Sequence, residues 1–281
     1  MKTFAEKFIN RNGCSMYIRV RGKGPALLMI HGVATDADYF EDVADLLAEN
    51  FTVITYDRRG YSRSVIMDAL QDTEANASVE AQAADAAAII KIVAEKAVVV
   101  GVSAGGIVAL ELSRAFPELV EELFLYEIAH TTEPATLARR DEWQGRLRKA
   151  AEKKSFAKGM LLFIEAIGER DPEGAETGPA QLQRNVKNLE RFMYVEMENY
   201  FSYSRRHPDL KFSFPLFCGV GSLDKGKMFY DMMTESAALW GAELEELPGA
   251  HNLAQDRPAV FAKWIKNKTL YIGGENERLY N

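Results

Sequence analysis

The stretch AVVVGVSAGGIVALELSRAF, at residues 97–116, decides the fold class of this chain. Its first six residues form an apolar, valine-rich run that predicts a β-strand. From Gly105 to Phe116 the apolar residues recur at helical spacing, and Pro117 follows where such a helix would end. A strand that turns directly into a helix is the repeating unit of β-α-β folds.

The same alternation extends toward the N-terminus. PALLMI, at residues 25–30, is a continuous apolar run between two glycines, which suits a strand buried on both faces of a parallel sheet. Further strands are predicted at 51–56, 97–102 and 119–126, and helices at 37–49, 78–96 and 105–116. Before them, two short apolar runs at 4–9 and 16–20 flank Asn12-Gly13 and predict a β-hairpin.

After residue 128 the alternation stops. Residues 129–206 contain mainly helical segments and no convincing strand. The pattern then resumes with a strand at 211–220, a helix at 228–240, a strand at 243–247 and a helix at 258–268. We therefore expect an α/β fold, a mostly parallel doubly wound sheet flanked by helices. Its core would comprise residues 1–128 and 208–281, interrupted by a helical insert at 129–207.

Composition and charge exclude several classes of protein. The 281 residues are 47% hydrophobic and 27% charged, which is typical of a globular chain and excludes wholesale disorder. The net charge of −7 argues against a nucleic-acid partner, which needs a basic face. We expect no membrane partner, because no apolar stretch approaches ~18–20 residues. With no signal-peptide core and only Cys14 and Cys218 as cysteines, we expect a cytoplasmic protein without a disulfide framework.

The turn between the decisive strand and its helix reads Gly101-Val102-Ser103-Ala104-Gly105, which fits the G-x-S-x-G pattern. A tight turn there lifts the serine hydroxyl above the sheet, and the glycines remove side chains that would collide with neighbouring elements. The start of the helix directs free N–H groups at a nearby negative charge. We therefore predict Ser103 as a nucleophile.

Two other loops complete the predicted site. His31-Gly32-Val33-Ala34 follows the first buried strand, and we assign an oxyanion hole to the backbone N–H groups of Val33 and Ala104. We expect His31 itself to bond backbone in its loop, with substrate binding as the alternative. The predicted base is His251, because it alone of the four histidines follows a late strand, where loops of a parallel sheet line the ligand crevice.

Two carboxylates are candidates for the acid that orients His251. Asp224 follows the strand at 211–220 and precedes the histidine by 27 residues. Glu127 ends the strand LFLYE, 24 residues after Ser103. Either carboxylate could stabilise a protonated imidazole, and the residues favour Asp224 with Glu127 as the alternative.

Together these residues resemble the α/β-hydrolase superfamily. The likeness extends to YDRRGYSRS, at residues 56–64, which is similar to the D-x-R-G-x-G-x-S turn of that superfamily with Ser62 in place of the second glycine. One subgroup carries His-Glu-Pro-Pro after the strand, turn and helix of the nucleophile, and the resemblance implies that this glutamate serves as its acid. Here Tyr126-Glu127-Ile128-Ala129 keeps the glutamate and loses both prolines. Because the subgroup tends to have serine where this chain has Asp224, the resemblance leaves both acids open.

The resemblance implies a serine hydrolase that acts on a small-molecule carboxylic ester or lactone through an acyl-enzyme, with no cofactor and no metal. Enzymes of this superfamily that open epoxides or remove halides attack through an aspartate in the turn where this chain has Ser103. The serine therefore argues against an epoxide hydrolase or a dehalogenase. The alternatives on the same triad are a cofactor-free haloperoxidase, an acyltransferase and a C–C bond hydrolase. A small-molecule receptor on a hydrolase scaffold is the non-enzyme alternative.

The helical insert falls where the superfamily places its cap, so we expect it to select the substrate. Its stretch at residues 192–203 is dense in aromatic residues and methionine. We take Tyr194, Met197 and Phe201 as candidate substrate contacts, with ordinary packing as the alternative for the same positions.

Overall fold

A mixed β-sheet organises the chain. The computed structural model describes residues 5–68, 70, 72–168, 171–174 and 176–270. Within them the sheet has nine strands, and eight lie in the order β1-β2-β4-β3-β6-β7-β8-β9, while the short β5 pairs with β2. The strands are β1 (Ala5–Arg11), β2 (Cys14–Arg21), β3 (Ala26–Ile30), β4 (Thr52–Tyr56), β5 (Val65–Ile66), β6 (Ala97–Val102), β7 (Val120–Tyr126), β8 (Leu216–Gly221) and β9 (Glu243–Leu247).

The direction of the strands matches the predicted α/β class. From β4 through β3, β6, β7 and β8 to β9 every pair is parallel, whereas β1 pairs with β2 and β2 with β4 in antiparallel register. Asn12 and Gly13 join β1 to β2 with φ values of 43° and 73°. Two successive residues in this left-handed region form the tight turn that Asn-Gly favours, so the predicted hairpin is confirmed.

Helices cover both faces of the sheet. Along β3, Leu27 and Met29 point into one apolar core and Leu28 and Ile30 into the other, as the two-residue period of a strand requires. The first core is closed by α1 (Glu41–Leu47), α9 (Leu253–Asp256) and α10 (Pro258–Lys268). The second is closed by α2 (Val79–Val93), α3 (Ala104–Ala115) and α8 (Met228–Trp240). Helices on both sides of a mostly parallel sheet confirm the predicted fold class.

In the described part of the chain between β7 and β8 there are four helices, which together are called the helical segment. They are α4 (Pro134–Glu152), α5 (Phe156–Ile167), α6 (Pro179–Arg191) and α7 (Met197–Arg206), with a π-helical turn at Phe192–Glu196 before α7. They pack onto the core that α2 and α3 close. The predicted division into a core and an insert stays a prediction, and residues 1–4 and 271–281 of that core lie outside the described residues. Among the helices that the structure describes, none combines the length and apolarity needed to cross a membrane.

Several element boundaries differ from the prediction by a few residues, and two of these differences and one strand that was not predicted have a local reason. The predicted strand at 211–220 begins only at Leu216, because Pro215 has no N–H group to donate to a ladder. The predicted helix at 37–49 is split into a 3₁₀ turn at Ala37–Phe40 and the short α1. Strand β5 has two residues, too few to produce a detectable alternation in the sequence.

The start of α3 lies unusually close to the end of β3. A side-chain carbon added to Gly105 would overlap the backbone carbonyl oxygen of Ile30 and would lie 2.5 Å from that of His31. Glycine at this position therefore permits the helix to approach the sheet edge at the turn that carries Ser103.

Substituting Gly105 should therefore destabilise the protein. We expect Gly105→Ala to lower the free energy of unfolding by about 1–3 kcal/mol, because the backbone of β3 must move. The matched control is Gly145→Ala inside α4, where an added carbon meets nothing within 4 Å. There alanine should stabilise the helix by up to about 1 kcal/mol. Urea unfolding followed by circular dichroism measures both, and equal effects would contradict the close-approach argument.

Candidate active site

Ser103 occupies a strained turn between β6 and α3. Its φ of 54° and ψ of −125° lie outside the regions that residues with a side chain ordinarily adopt, a strain of about 1–3 kcal/mol. Two hydrogen bonds hold the turn: the N–H of Ser103 donates to the carbonyl of Tyr126 at 3.0 Å, and the N–H of Gly106 donates to the carbonyl of Ser103 at 3.0 Å. The turn therefore presents the serine beyond the carboxyl end of β6, as its sequence pattern predicts.

The loop after β3 passes directly over Ser103. A carbon added to Gly32 would lie 3.0 Å from Cβ and 3.4 Å from Oγ of the serine, so the two loops are in near contact. Within the described part of the chain, the backbone N–H groups of Val33 and Ala104 donate to no acceptor. The predicted oxyanion donors are thus unpaired backbone groups beside the serine, although their role stays a prediction.

His251 lies in the loop after β9, and two tyrosines hold that loop in place. The Tyr126 hydroxyl donates to the carbonyl of Ala250 at 2.9 Å, and the Tyr39 hydroxyl donates to the carbonyl of His251 at 3.4 Å. The ring of Phe229 contacts the imidazole edge to face, at 5.0 Å between centroids. These contacts orient the imidazole, and it lines the same cavity as Ser103.

The carboxylate that contacts His251 is that of Glu127. Nδ1 of the imidazole donates to Oε2 of Glu127 at 2.6 Å, and Oε1 accepts the backbone N–H of Gly221 at 2.8 Å. Glu127 is fully buried and has a φ of 43°, which turns its side chain back over the end of β7. The sequence favoured Asp224 for this contact, and the structure brings the alternative candidate, Glu127, against the ring instead.

Asp224 is nevertheless a neighbour of this pair. Its carboxyl group is buried and lies within hydrogen-bonding reach of Glu127, while the backbone N–H of His251 faces it. Burial, and then the negative charge of Glu127, raise the pKa of Asp224 to about 8. The end of α5 covers it, since a carbon added to Gly168 would lie 2.6 Å from Oδ1.

Ser103 and His251 open into a cavity of about 230 Å³. Its walls come from the loop after β3, the loop after β9, and helices α5 and α6. The lining residues are Gly32, Val33, Ala34, Thr35, Tyr39, Val102, Ser103, Met160, Phe163, Ile164, Ile167, Thr177, Leu182, Asn185, Leu189, His251, Asn252 and Gln255. No Asp, Glu, Lys or Arg side chain is among them, so the described wall is apolar with a few neutral polar groups.

The four candidate substrate contacts do not line this cavity. His31 is fully buried, Met197 and Phe201 are packed inside the helical segment, and the Tyr194 hydroxyl donates to the carbonyl of Ala151 at 3.0 Å on the outer surface. The helix that lines the cavity is α5 rather than α7. The apolar spacing of Met160, Phe163, Ile164 and Ile167 was the available signal, and the aromatic density of residues 192–203 outweighed it.

His31 has a structural environment that accounts for both ring nitrogens. Nε2 accepts the backbone N–H of Arg58 at 2.9 Å, and Nδ1 donates to the carbonyl of Gly32 at 2.9 Å. Burial and the charge of Arg58 lower the pKa of His31 to about 3. The neutral ring therefore holds the loop of Gly32 and Val33 from beneath, which agrees with the expectation that it bonds backbone.

Arg58 is a residue that the sequence pattern did not single out. Its fully buried guanidinium donates to the carbonyl of Gly32 at 3.1 Å, to Tyr200 at 2.6 Å and to Glu196 at 3.1 Å. Glu196 and Tyr200 belong to the helical segment, whereas Gly32 belongs to the loop over Ser103. The Arg58 side chain thus connects the helical segment with the loop over Ser103. No local sequence motif indicates a contact between residues 138 positions apart.

Removing this cation should destabilise the fold. We expect Arg58→Met to lower the free energy of unfolding by about 3 kcal/mol, because the buried carboxylate of Glu196 loses its ion pair with Arg58 and retains Arg191 and the Tyr61 hydroxyl. Arg205→Met is the control, since Arg205 pairs with Asp141 on the surface and should contribute about 0–1 kcal/mol. Urea unfolding measures both, and a loss at Arg58 no larger than at Arg205 would contradict this reading.

Comparison with known proteins gives the same architecture. The model of the alpha/beta hydrolase family matches residues 27–264. The uncharacterized hydrolase YraK of Bacillus subtilis is 39% identical over 116 residues, which are 41% of this chain and 41% of that protein. The chain spans about two fifths of the length of the curated relatives it matches.

Solved structures extend the likeness to nearly the whole chain. ALR0039 of Nostoc sp. PCC 7120 superimposes with a TM-score of 0.72 at 22% identity, covering 94% of this chain and 97% of that one. A laboratory-evolved variant of potato epoxide hydrolase superimposes with a TM-score of 0.70 at 20% identity, covering 95% and 98% of the two chains. At these identities the likeness is one of fold.

Proposed function

The chain belongs to the alpha/beta hydrolase family, and from this premise we propose that it is a serine hydrolase of small-molecule carboxylic esters or lactones. The observation that carries the proposal is the shared cavity of Ser103 and His251, with Glu127 bonded to the far side of the imidazole. A nucleophile, a base and an orienting carboxylate in this relation are the parts that acyl transfer through an acyl-enzyme requires.

The proposed reaction has two halves, formation of the acyl-enzyme and its hydrolysis, and each catalytic group acts in both. His251 removes the proton of Ser103 through Nε2 as Oγ attacks the ester carbonyl, and the imidazolium then protonates the leaving alcohol. Glu127 fixes the tautomer by accepting the proton of Nδ1 and stabilises the imidazolium. Water, activated by the same histidine, then cleaves the acyl-enzyme to release the acid.

The oxyanion that forms in both halves is assigned to the N–H groups of Val33 and Ala104. Both are unpaired in the described structure, and Ala104 is the first residue of α3, where the helix dipole adds positive potential. Each donor of this kind typically contributes roughly 3 kcal/mol to transition-state stabilisation. Arg58 and His31 support this loop through the carbonyl of Gly32.

The wall of the cavity favours a neutral substrate with an apolar acyl or alkyl part. Met160, Phe163 and Ile164 of α5 and Leu182 of α6 supply apolar surface, and a charged substrate would lose hydration there without an opposite charge. In this proposal helices α4–α7 act as the cap, and residues 129–207 form the insert that selects the substrate.

Structural likeness to an epoxide hydrolase does not transfer that chemistry. The resemblance implies that epoxide hydrolases of this superfamily attack through a carboxylate, whereas the residue in the turn between β6 and α3 here is Ser103. A hydroxyl group activated by histidine is suited to attack a carbonyl carbon. The negative charge that develops on the carbonyl oxygen would then receive hydrogen bonds from the N–H groups of Val33 and Ala104. We therefore propose ester or lactone hydrolysis in preference to epoxide opening.

A fluorophosphonate probe tests the activated serine. We expect one covalent adduct per chain, read by intact mass, and its loss in Ser103→Ala. We also expect Ser103→Ala and His251→Ala each to lower turnover of short neutral esters by roughly 10³–10⁶-fold with the fold intact. Ser202→Ala is the control, because Ser202 bonds its own helix at Asn199 and does not line the cavity.

Two outcomes would contradict the proposal. No adduct on a folded wild-type protein, together with tight small-molecule binding, would favour the receptor alternative. An adduct that persists in Ser103→Ala would assign the reactive group elsewhere. Circular dichroism of each variant establishes that a lost adduct reflects lost chemistry.

The identity of the acid has its own test. We expect Glu127→Gln to lower kcat by about 10⁴-fold, because an amide cannot stabilise the imidazolium and permits the wrong tautomer. The measurement is ester turnover at saturating substrate, with the thermal unfolding midpoint recorded in parallel. Near-complete activity in Glu127→Gln would remove this residue from the proposed triad.

A further inference from the structure

Two carboxyl groups meet behind the imidazole of His251. Glu127 ends β7 and Asp224 lies in the 3₁₀ turn after β8, and both side chains are buried. Their carboxyl groups are within hydrogen-bonding reach of each other. Two buried negative charges in contact would repel strongly, and a proton on one of the two groups relieves that repulsion.

The hydrogen bonds indicate which group holds it. Both oxygens of Glu127 accept from N–H donors, one from Gly221 and one from the ring of His251, which is the environment of a carboxylate. Oδ2 of Asp224 is buried, and in the described structure no donor reaches it. An oxygen that carries the proton needs an acceptor rather than a donor, and the carboxylate of Glu127 is that acceptor.

We propose that Asp224 is a positioning residue of the active site, protonated when the protein is active, and that it donates a hydrogen bond to the Glu127 carboxylate that orients His251. This inference rests on the proposed function. Asp224 touches neither the reacting atoms nor the cavity wall. It acts through Glu127, whose second contact, with the backbone of Gly221, fixes the other oxygen.

The surroundings of Asp224 support a neutral carboxyl group. Tyr126 of β7, the backbone N–H of His251, and Lys227 before α8 face it besides Glu127. Among the described residues that face it, only Lys227 brings a positive charge, and Gly168 at the end of α5 lies against Oδ1. Burial and the charge of Glu127 raise the pKa of Asp224 to about 8 and outweigh the lysine and the N–H group, so the proton stays bound at neutral pH.

A proton at this position has two separable consequences. Above pH of about 8 the ionised Asp224 repels Glu127, so the Glu127–His251 contact loosens and kcat/KM falls in a one-proton step. In the unfolded chain Asp224 has an ordinary pKa near ~3.9, so the folded state binds an extra proton between the two values. Stability contributed by that proton is therefore lost as pH rises from about 4 to about 8.

Asp224→Asn distinguishes a protonated from an ionised Asp224. The amide is close in shape to the neutral acid and can donate to Glu127. We expect kcat/KM for a neutral ester at pH 7 within about threefold of wild type, and no alkaline step near pH 8. Asp224→Ala, which cannot donate, should lose at least about tenfold in kcat. A loss of about 100-fold or more in Asp224→Asn at pH 7, or a retained alkaline step, would overturn the proposal.

A second readout does not depend on catalysis. From pH 5 to pH 7 the unfolding equilibrium constant of wild type, relative to that of Asp224→Asn, should rise by up to about tenfold per pH unit. Asp209→Asn, at an exposed carboxylate, is the control and should follow wild type in both experiments. A ratio independent of pH would overturn the protonated state of Asp224. A pH-dependent ratio in a wild-type protein that turns over no ester would instead reject the proposed function alone.

Discussion

The close approach of α3 to the end of β3 is the constraint on which the rest of the site depends. Gly105 lets the helix start against the carbonyls of Ile30 and His31, and the chain can reach that point only by a sharp turn at Ser103. The turn is strained, and hydrogen bonds to the neighbouring strand and within the helix hold it. As a result the serine, the first N–H of α3 and the loop of Gly32 converge at one place, which is what chemistry at a carbonyl would need.

Buried polar groups extend this convergence to the helical segment. Arg58 lies under the loop of Gly32 and reaches Glu196 and Tyr200, so the segment that walls the cavity and the loop that passes over Ser103 share one cation. A buried ion pair adds little net stability over apolar packing, but removing one of its charges leaves the other buried with fewer partners. The arrangement therefore restricts how far the helical segment can move without releasing the loop.

In the proposed triad, two carboxyl groups behind His251 would share the role that a single residue has in the simplest triad. Glu127 contacts the ring, and Asp224 contacts Glu127 from a site covered by α5. A low-dielectric environment makes a second charge there unfavourable and makes a shared proton favourable. The helix α5, which supplies apolar wall to the cavity, also lies against Asp224. In the proposed function it would therefore influence both the choice of substrate and the electrostatics of the base.

Local sequence determined the elements and the turns. The valine run of β6, the glycines around Ser103 and the Asn12-Gly13 hairpin are short-range patterns, because strand burial, helix spacing and left-handed turns depend on neighbouring residues. Only the tertiary structure decided which of Glu127 and Asp224 contacts His251, since that contact joins residues 124 positions apart. The tertiary structure also decided that α5 lines the cavity and that Arg58 connects the helical segment with the loop of Gly32. These contacts depend on which buried groups come together in the folded protein. The spacing of residues along the chain does not determine that.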